Sequence, residues 1–249
     1  MSTLPRPVNA ELSALSARLQ QVRRSMTGAA ARSGRDPATV RLVAVVKTVP
    51  LELVREGVRL GLSDLGESRV QEAEARIADV GRASEGGPIR WHMVGHLQSN
   101  KAGRAARLFD RVHALDDLEL ARHLSRHARA AGREVAVMIE VNVTGAPQRF
   151  GVAPGGLADL VRGVAGLPAL ALDGVMAVGP VGPHPVAARP GFAAVRELRD
   201  RAARETGVEL PQLSMGMSDD YEVAIEEGST MVRIGTALFG KRTPATGRP

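Results

Sequence analysis

Apolar residues recur along this chain at two alternating periods. Leu12, Leu15, Leu19 and Val22 stand at helical spacing and predict a long amphipathic helix over residues 9–33, which Gly34 and Pro37 end. Beyond it, apolar runs of strand length cover residues 41–49, 62–66, 89–97, 112–115, 135–143, 171–178, 212–215 and 231–235. Helical patterns fall between them near residues 51–60, 69–79, 100–108, 117–131, 155–164, 191–206 and 219–227, and a short turn over 236–239 follows the last run. Near-continuous apolar strands alternating with helices imply a parallel sheet covered by helices. Eight such units predict one (β/α)8 TIM barrel over residues 1–249, with an extra N-terminal helix and a frayed tail over 242–249. An open doubly wound sheet is disfavoured, because no G-x-G-x-x-G follows the first run.

Composition narrows the chemistry. The chain has no cysteine, which removes disulfides, thiolate nucleophiles and Cys-based metal sites. It has no apolar stretch of membrane-spanning length, and residues 1–10 lack the apolar core of a signal peptide, so a cytoplasmic protein without membrane contact is expected. The formal net charge of +6 is spread along the chain, and aromatics are only 2%, leaving few stacking platforms. Nucleic-acid binding is therefore not expected. Of 33 basic residues only three are lysines, at positions 47, 101 and 241. Where arginine is the default cation, a lysine hints that an amine is needed, since only lysine forms an imine with an aldehyde.

Barrel active sites lie at the C-terminal ends of the strands. Lys47 ends the first run after Leu42, Val43, Ala44, Val45 and Val46. Burial there would lower its pKa and make it nucleophilic; a lysine snorkelling at a strand end is the plainer alternative. Gly235 and Thr236 open a helical turn after the eighth run, and Ser218 follows the seventh. Backbone N–H groups with two hydroxyls there form an anion site where barrels commonly bind phosphate, or simply cap helices. His92 and His96 lack the helical spacing of metal ligands and are expected to be structural, so no metal site is expected. His113, His123, His127 and His184 read as helix or loop surface, Glu67 as a partner for a nearby Arg or Lys101, and Asp219 and Asp220 as a helix start.

The segments LVAVVKT (42–48), GESRVQE (66–72), WHMVGHLQSNK (91–101), LSMGMSDD (213–220) and STMVRIGTALFG (229–240) together resemble the pyridoxal phosphate homeostasis proteins, which are related to the alanine racemase N-terminal barrel. The resemblance implies a fold-type III barrel binding pyridoxal 5′-phosphate (PLP). Lys47 falls on the Schiff-base lysine, Ser218, Gly235 and Thr236 on the phosphate binders, and Arg233 on the residue near the pyridine nitrogen. Met215 and Met217 would pack around the cofactor. Ser68 stands where the family often has Asn, and the loop after Met176 is unusually rich in glycine. The function implied is intracellular vitamin B6 homeostasis without turnover, as a monomer or weak homodimer, with PLP-dependent apoenzymes as candidate partners. A racemase-like enzyme is the alternative. It would need a second proton donor, and the chain has one tyrosine, Tyr221, and ends about ten residues after the barrel. A phosphate-sugar barrel enzyme that leaves Lys47 unmodified is a third possibility.

Overall fold

The computed structural model describes residues 6–146, 148–179 and 185–240. Eight parallel strands close into a barrel: β1 (Arg41–Val45), β2 (Asp64–Glu67), β3 (Arg90–Met93), β4 (Arg111–Leu115), β5 (Val135–Glu140), β6 (Leu170–Met176), β7 (Gln212–Ser214) and β8 (Met231–Ile234). The helices are α1 (Arg6–Arg32), α2 (Leu51–Arg59), α3 (Val70–Val80), α4 (Ala102–Leu108), α5 (Leu118–Ala130), α6 (Leu157–Ala165), α7 (Arg189–Thr206), α8 (Tyr221–Glu226) and α9 (Thr236–Phe239). Strand order follows chain order, and β8 pairs back onto β1 with Ala44 opposite Ile234.

Seven of the eight strands are shorter than their apolar runs, β4 being the exception. β1 stops at Val45 and β3 at Met93, because residues beyond them turn away to build the C-terminal mouth. A small antiparallel hairpin, Ala83–Ser84 with Gly87–Pro88, precedes β3 and was not expected.

Alternation within each strand sorts side chains into two layers. Outward residues such as Ala44, Leu65, Trp91, Val112, Leu213 and Val232 join the buried layer beneath the helices. Inward residues include a small apolar group of Val43, Ala114, Met138, Met176 and Met231. The remaining interior is polar. α1 completes the outer ring: α9 is a single turn, and α1 packs against α8, α9 and α2 to cover that side. Its buried face is Leu15, Leu19, Val22, Met26, Ala29 and Ala30, each large side chain contributing roughly 1.5–3 kcal/mol. Among the described residues, no helix is long and apolar enough to cross a membrane.

Candidate cofactor site

Three neighbouring strands, β7, β8 and β1, carry most of the residues singled out in the sequence to one mouth. The Ala44–Ile234 register brings the turn after β1 beside the turn after β8. Lys47 lies in the first of these turns, just past Val46, whose N–H donates to the Gly66 carbonyl at 2.9 Å. Lys47 is exposed, not buried. Its candidacy as an amine rests on its location at the mouth. Thr48 follows with φ of 58°. A β-branched residue in the left-handed region is strained, and such strain clusters at functional sites.

Ser218 reaches the turn after β8. Ser218 Oγ accepts from the Gly235 N–H at 3.3 Å and the Ala237 N–H at 3.2 Å. The hydroxyl thus gathers two amides of one turn, and Thr236 is exposed between them. Ser218 thereby caps the turn, and capping and anion binding draw on the same kind of N–H groups at the start of a helical turn.

Arg233 is buried inside the barrel. Its Nη1 donates to the Ser214 carbonyl at 2.8 Å and to Ser214 Oγ at 2.7 Å, and its Nη2 donates to the Ala177 carbonyl at 3.0 Å. None of these acceptors is a carboxylate. Burial pushes the guanidinium down to about 10, against the attraction of Glu140 and Asp220, so it remains a cation at neutral pH. Glu140, at the end of β5, is pushed up to about 7 by burial, against the pull of Arg233 and with Asp116 adding repulsion.

Behind Arg233 a polar chain crosses the barrel. His113 Nδ1 meets Ser214 Oγ at 2.9 Å, His113 Nε2 meets His92 Nδ1 at 2.9 Å, and His92 Nε2 meets Asp64 Oδ1 at 2.9 Å. Asp64 is held by Arg90 through Nε at 2.9 Å and Nη2 at 2.8 Å. His113 thus corrects the sequence expectation: it is fully buried on β4, not on a surface helix or loop. The apolar neighbours of His113 in sequence gave a strand, but nothing in one strand reveals a partner on another. His92 is likewise buried, on β3.

Other candidates divide. Ser68 lies where its backbone carbonyl would be 2.6 Å from a Cβ added to Gly95, so the loops after β2 and β3 touch and only glycine fits at 95. Met215 is buried in the outer layer, following inward Ser214, so it backs the site from beneath the helices; Met217 is half-buried in the loop. Glu67 also points outward, paired with Arg76 at 2.7 Å. Asp220 Oδ1 accepts from the Met217 N–H at 2.6 Å, tightening the loop instead of capping α8. At the rim, Phe150 stacks on His96 with centroids 3.7 Å apart. Among the described residues no group of side chains is arranged to hold a metal ion. His184, Lys241, part of the glycine-rich loop and the tail lie outside the described residues.

The chain is similar to proteins of one family. The family model described as alanine racemase, N-terminal domain, matches residues 11–243. The pyridoxal phosphate homeostasis protein of Pseudomonas aeruginosa is 42% identical over 238 residues, covering 93% of this chain and 97% of its own. The chain belongs to the pyridoxal phosphate homeostasis protein family. The family member of Aquifex aeolicus is 41% identical over 225 residues, covering 90% of this chain and 97% of that one. The solved structure of PipY from Synechococcus elongatus with PLP bound matches with a TM-score of 0.79 and 32% identity, over 91% of this chain and 100% of that chain. The alanine racemase-type barrel read from the sequence is therefore the family's barrel.

The donor set suits PLP. An exposed amine, a turn offering backbone N–H groups and hydroxyls, and a buried guanidinium without a carboxylate hydrogen bond match an aldehyde, a phosphate and a pyridine nitrogen respectively.

Proposed function

We propose that this protein binds PLP at the β7–β8–β1 mouth and serves intracellular PLP homeostasis without turnover. PLP supplies an aldehyde that condenses with amines and a ring that can accept electrons. In this proposal Lys47 carries the cofactor as a Schiff base. Ser218, Gly235 and Thr236 hold its phosphate, Ser68 and Met217 flank it, and Arg233 faces its ring nitrogen. The carrying observation is that the Ala44–Ile234 pairing sets the Lys47 turn beside the Gly235 turn.

Arg233 argues for holding over using. A guanidinium donates and cannot accept a proton, so it keeps the ring nitrogen unprotonated and the ring a weak electron sink. Racemisation also needs proton donors on both faces of the cofactor. The single tyrosine, Tyr221, is hydrogen-bonded to Ser25 of α1. We further propose that the protein works in the cytoplasm as a monomer or weak homodimer and that PLP-dependent apoenzymes are its recipients.

The test is an absorbance spectrum with PLP, followed by borohydride reduction and peptide mass analysis. An imine band and an adduct on Lys47 are expected. Lys47→Ala should lose the trapped adduct and keep weaker, non-covalent PLP through the Gly235 turn. A protein that stays colourless with excess PLP sinks the proposal. Amino-acid racemisation well above that of free PLP would overturn the absence of turnover.

A further inference from the structure

The polar chain through the barrel runs from an ion pair near the N-terminal face to Arg233 near the mouth: Asp64, His92, His113, Ser214, Arg233. Its hydrogen positions follow from donor chemistry once both imidazoles are neutral. Arg233 can only donate, so Ser214 Oγ accepts from it. The second lone pair of Ser214 Oγ could also accept from His113, so the direction is fixed at the other end, where ionised Asp64 takes the His92 Nε2 proton and leaves the Nδ1 of each neutral ring bare, His113 Nδ1 accepting from the Ser214 hydroxyl. A neutral His113 carries its proton on Nε2 and gives it to His92 Nδ1. His92 likewise carries its proton on Nε2 and gives it to Asp64 Oδ1. Asp64 receives Arg90 on both oxygens, as an ionised carboxylate does.

Every bond in the series is satisfied in this one direction, with a carboxylate at one end and a guanidinium at the other. With both rings neutral and Asp64 ionised, reversing the Ser214–His113 or His113–His92 link would set lone pairs face to face elsewhere in the series. Burial supports the neutral middle, because it lowers the proton affinity of both imidazoles. Hydrogen bonds from Arg90 and His92 outweigh burial to keep Asp64 well below the usual carboxylate range.

We propose that His113, backed by His92 and Asp64, is a positioning residue for Arg233. By taking the Ser214 proton it fixes which lone pair of Ser214 receives Nη1. That sets where the guanidinium stands and the charge it presents to the ring nitrogen of PLP. This rests on the PLP proposal above and deepens it: the electronics of the cofactor are set in part by residues on the far side of the barrel interior.

Two measurements test it. In the wild-type protein without added ligand, nitrogen-15 spectroscopy of the histidine rings should find His92 and His113 both as neutral Nε2–H tautomers at neutral pH. A Nδ1–H tautomer or a cationic ring at either position overturns the relay. The second measurement compares His113→Leu, which removes the acceptor for Ser214, with His113→Asn, whose Oδ1 can replace Nδ1. With PLP bound, His113→Leu should shift the ring-nitrogen resonance and weaken affinity about tenfold, the loss of one strong hydrogen bond. His113→Asn should recover most of both. Folded His113→Leu with wild-type resonance and affinity overturns the proposal. If the wild type takes up no PLP at all, the PLP proposal fails, and the tautomer measurement still decides the relay by itself.

Discussion

Glu140 carries a testable consequence at the scale of a single residue. It is 8% exposed at the end of β5, facing Arg233 on β8 and Asp116 after β4. Its carboxyl is raised from 4.5 to about 7. The folded protein therefore holds a proton that the unfolded chain releases above about pH 4.5. The sign follows directly: the stabilisation is fully present below the unfolded value and is lost as pH rises through the folded one. Glu140→Gln removes this titration and leaves the raised Asp116 and Asp220 common to both proteins. From pH 5 to pH 8, wild type should lose up to about 3 kcal/mol relative to Glu140→Gln, taking about 1.4 kcal/mol per pKa unit. Denaturant unfolding of both proteins across that range measures it. Parallel pH profiles would mean that Glu140 titrates normally. Glu140 lies within the predicted run 135–143, and nothing in that run singles it out. Its shift comes from burial opposite a cation on another strand, which no local pattern encodes. Lys47 errs the other way: five preceding apolar residues suggested a buried amine, yet the chain turns out of the barrel one residue before it.

At the scale of elements, the strand and helix order was legible because alternation of apolar runs and helical periods is a property of short windows. What stayed hidden depends on pairing between strands. In β6, Leu172 pairs with Val137 and Gly174 with Met138, so Asp173 is an extra residue in the strand. The bulge directs Asp173 onto Arg111, and Gly174 then lies against β7. A Cβ at 174 would stand 2.1 Å from the Gln212 carbonyl oxygen, a backbone atom that can move only if β7 moves. Gly174→Ala should therefore destabilise by about 3 kcal/mol, the upper range for overpacking. Gly155 is the control, with nothing within 4 Å of an added Cβ. Gly155→Ala should stay within about 0.5 kcal/mol of wild type. Thermal or denaturant melts separate the two, and equal melts would refute the close approach at Gly174. Ser214 on β7 receives Arg233, so Gly174→Ala should also weaken PLP binding, whereas Gly155→Ala should not.

For the whole molecule, the critical contact is the seam between β1 and β8. Arg41 pairs with Met231, a larger separation along the chain than any other strand pairing in the barrel, so closing it there costs the most chain entropy. The proposed ligand site straddles that seam: Lys47 follows β1, and Gly235, Thr236 and Arg233 belong to β8 or its turn. PLP bound there would join first strand to last and so act on the cooperative unfolding of the entire barrel. A ligand at about 100 times its dissociation constant stabilises by about 2.7 kcal/mol when it binds only the folded state. For a chain of 249 residues that corresponds to a rise in Tm of roughly 5–10 °C. Inorganic phosphate at the same concentration engages only the Gly235 turn and should give a much smaller rise. Lys47→Ala with PLP should fall between the two, since it keeps the phosphate and ring contacts and loses the covalent link. A single transition moving as one with PLP is expected. A Tm that ignores PLP, or that phosphate raises equally, would show that the seam is not bridged by the cofactor and would return Lys47 to an ordinary surface amine.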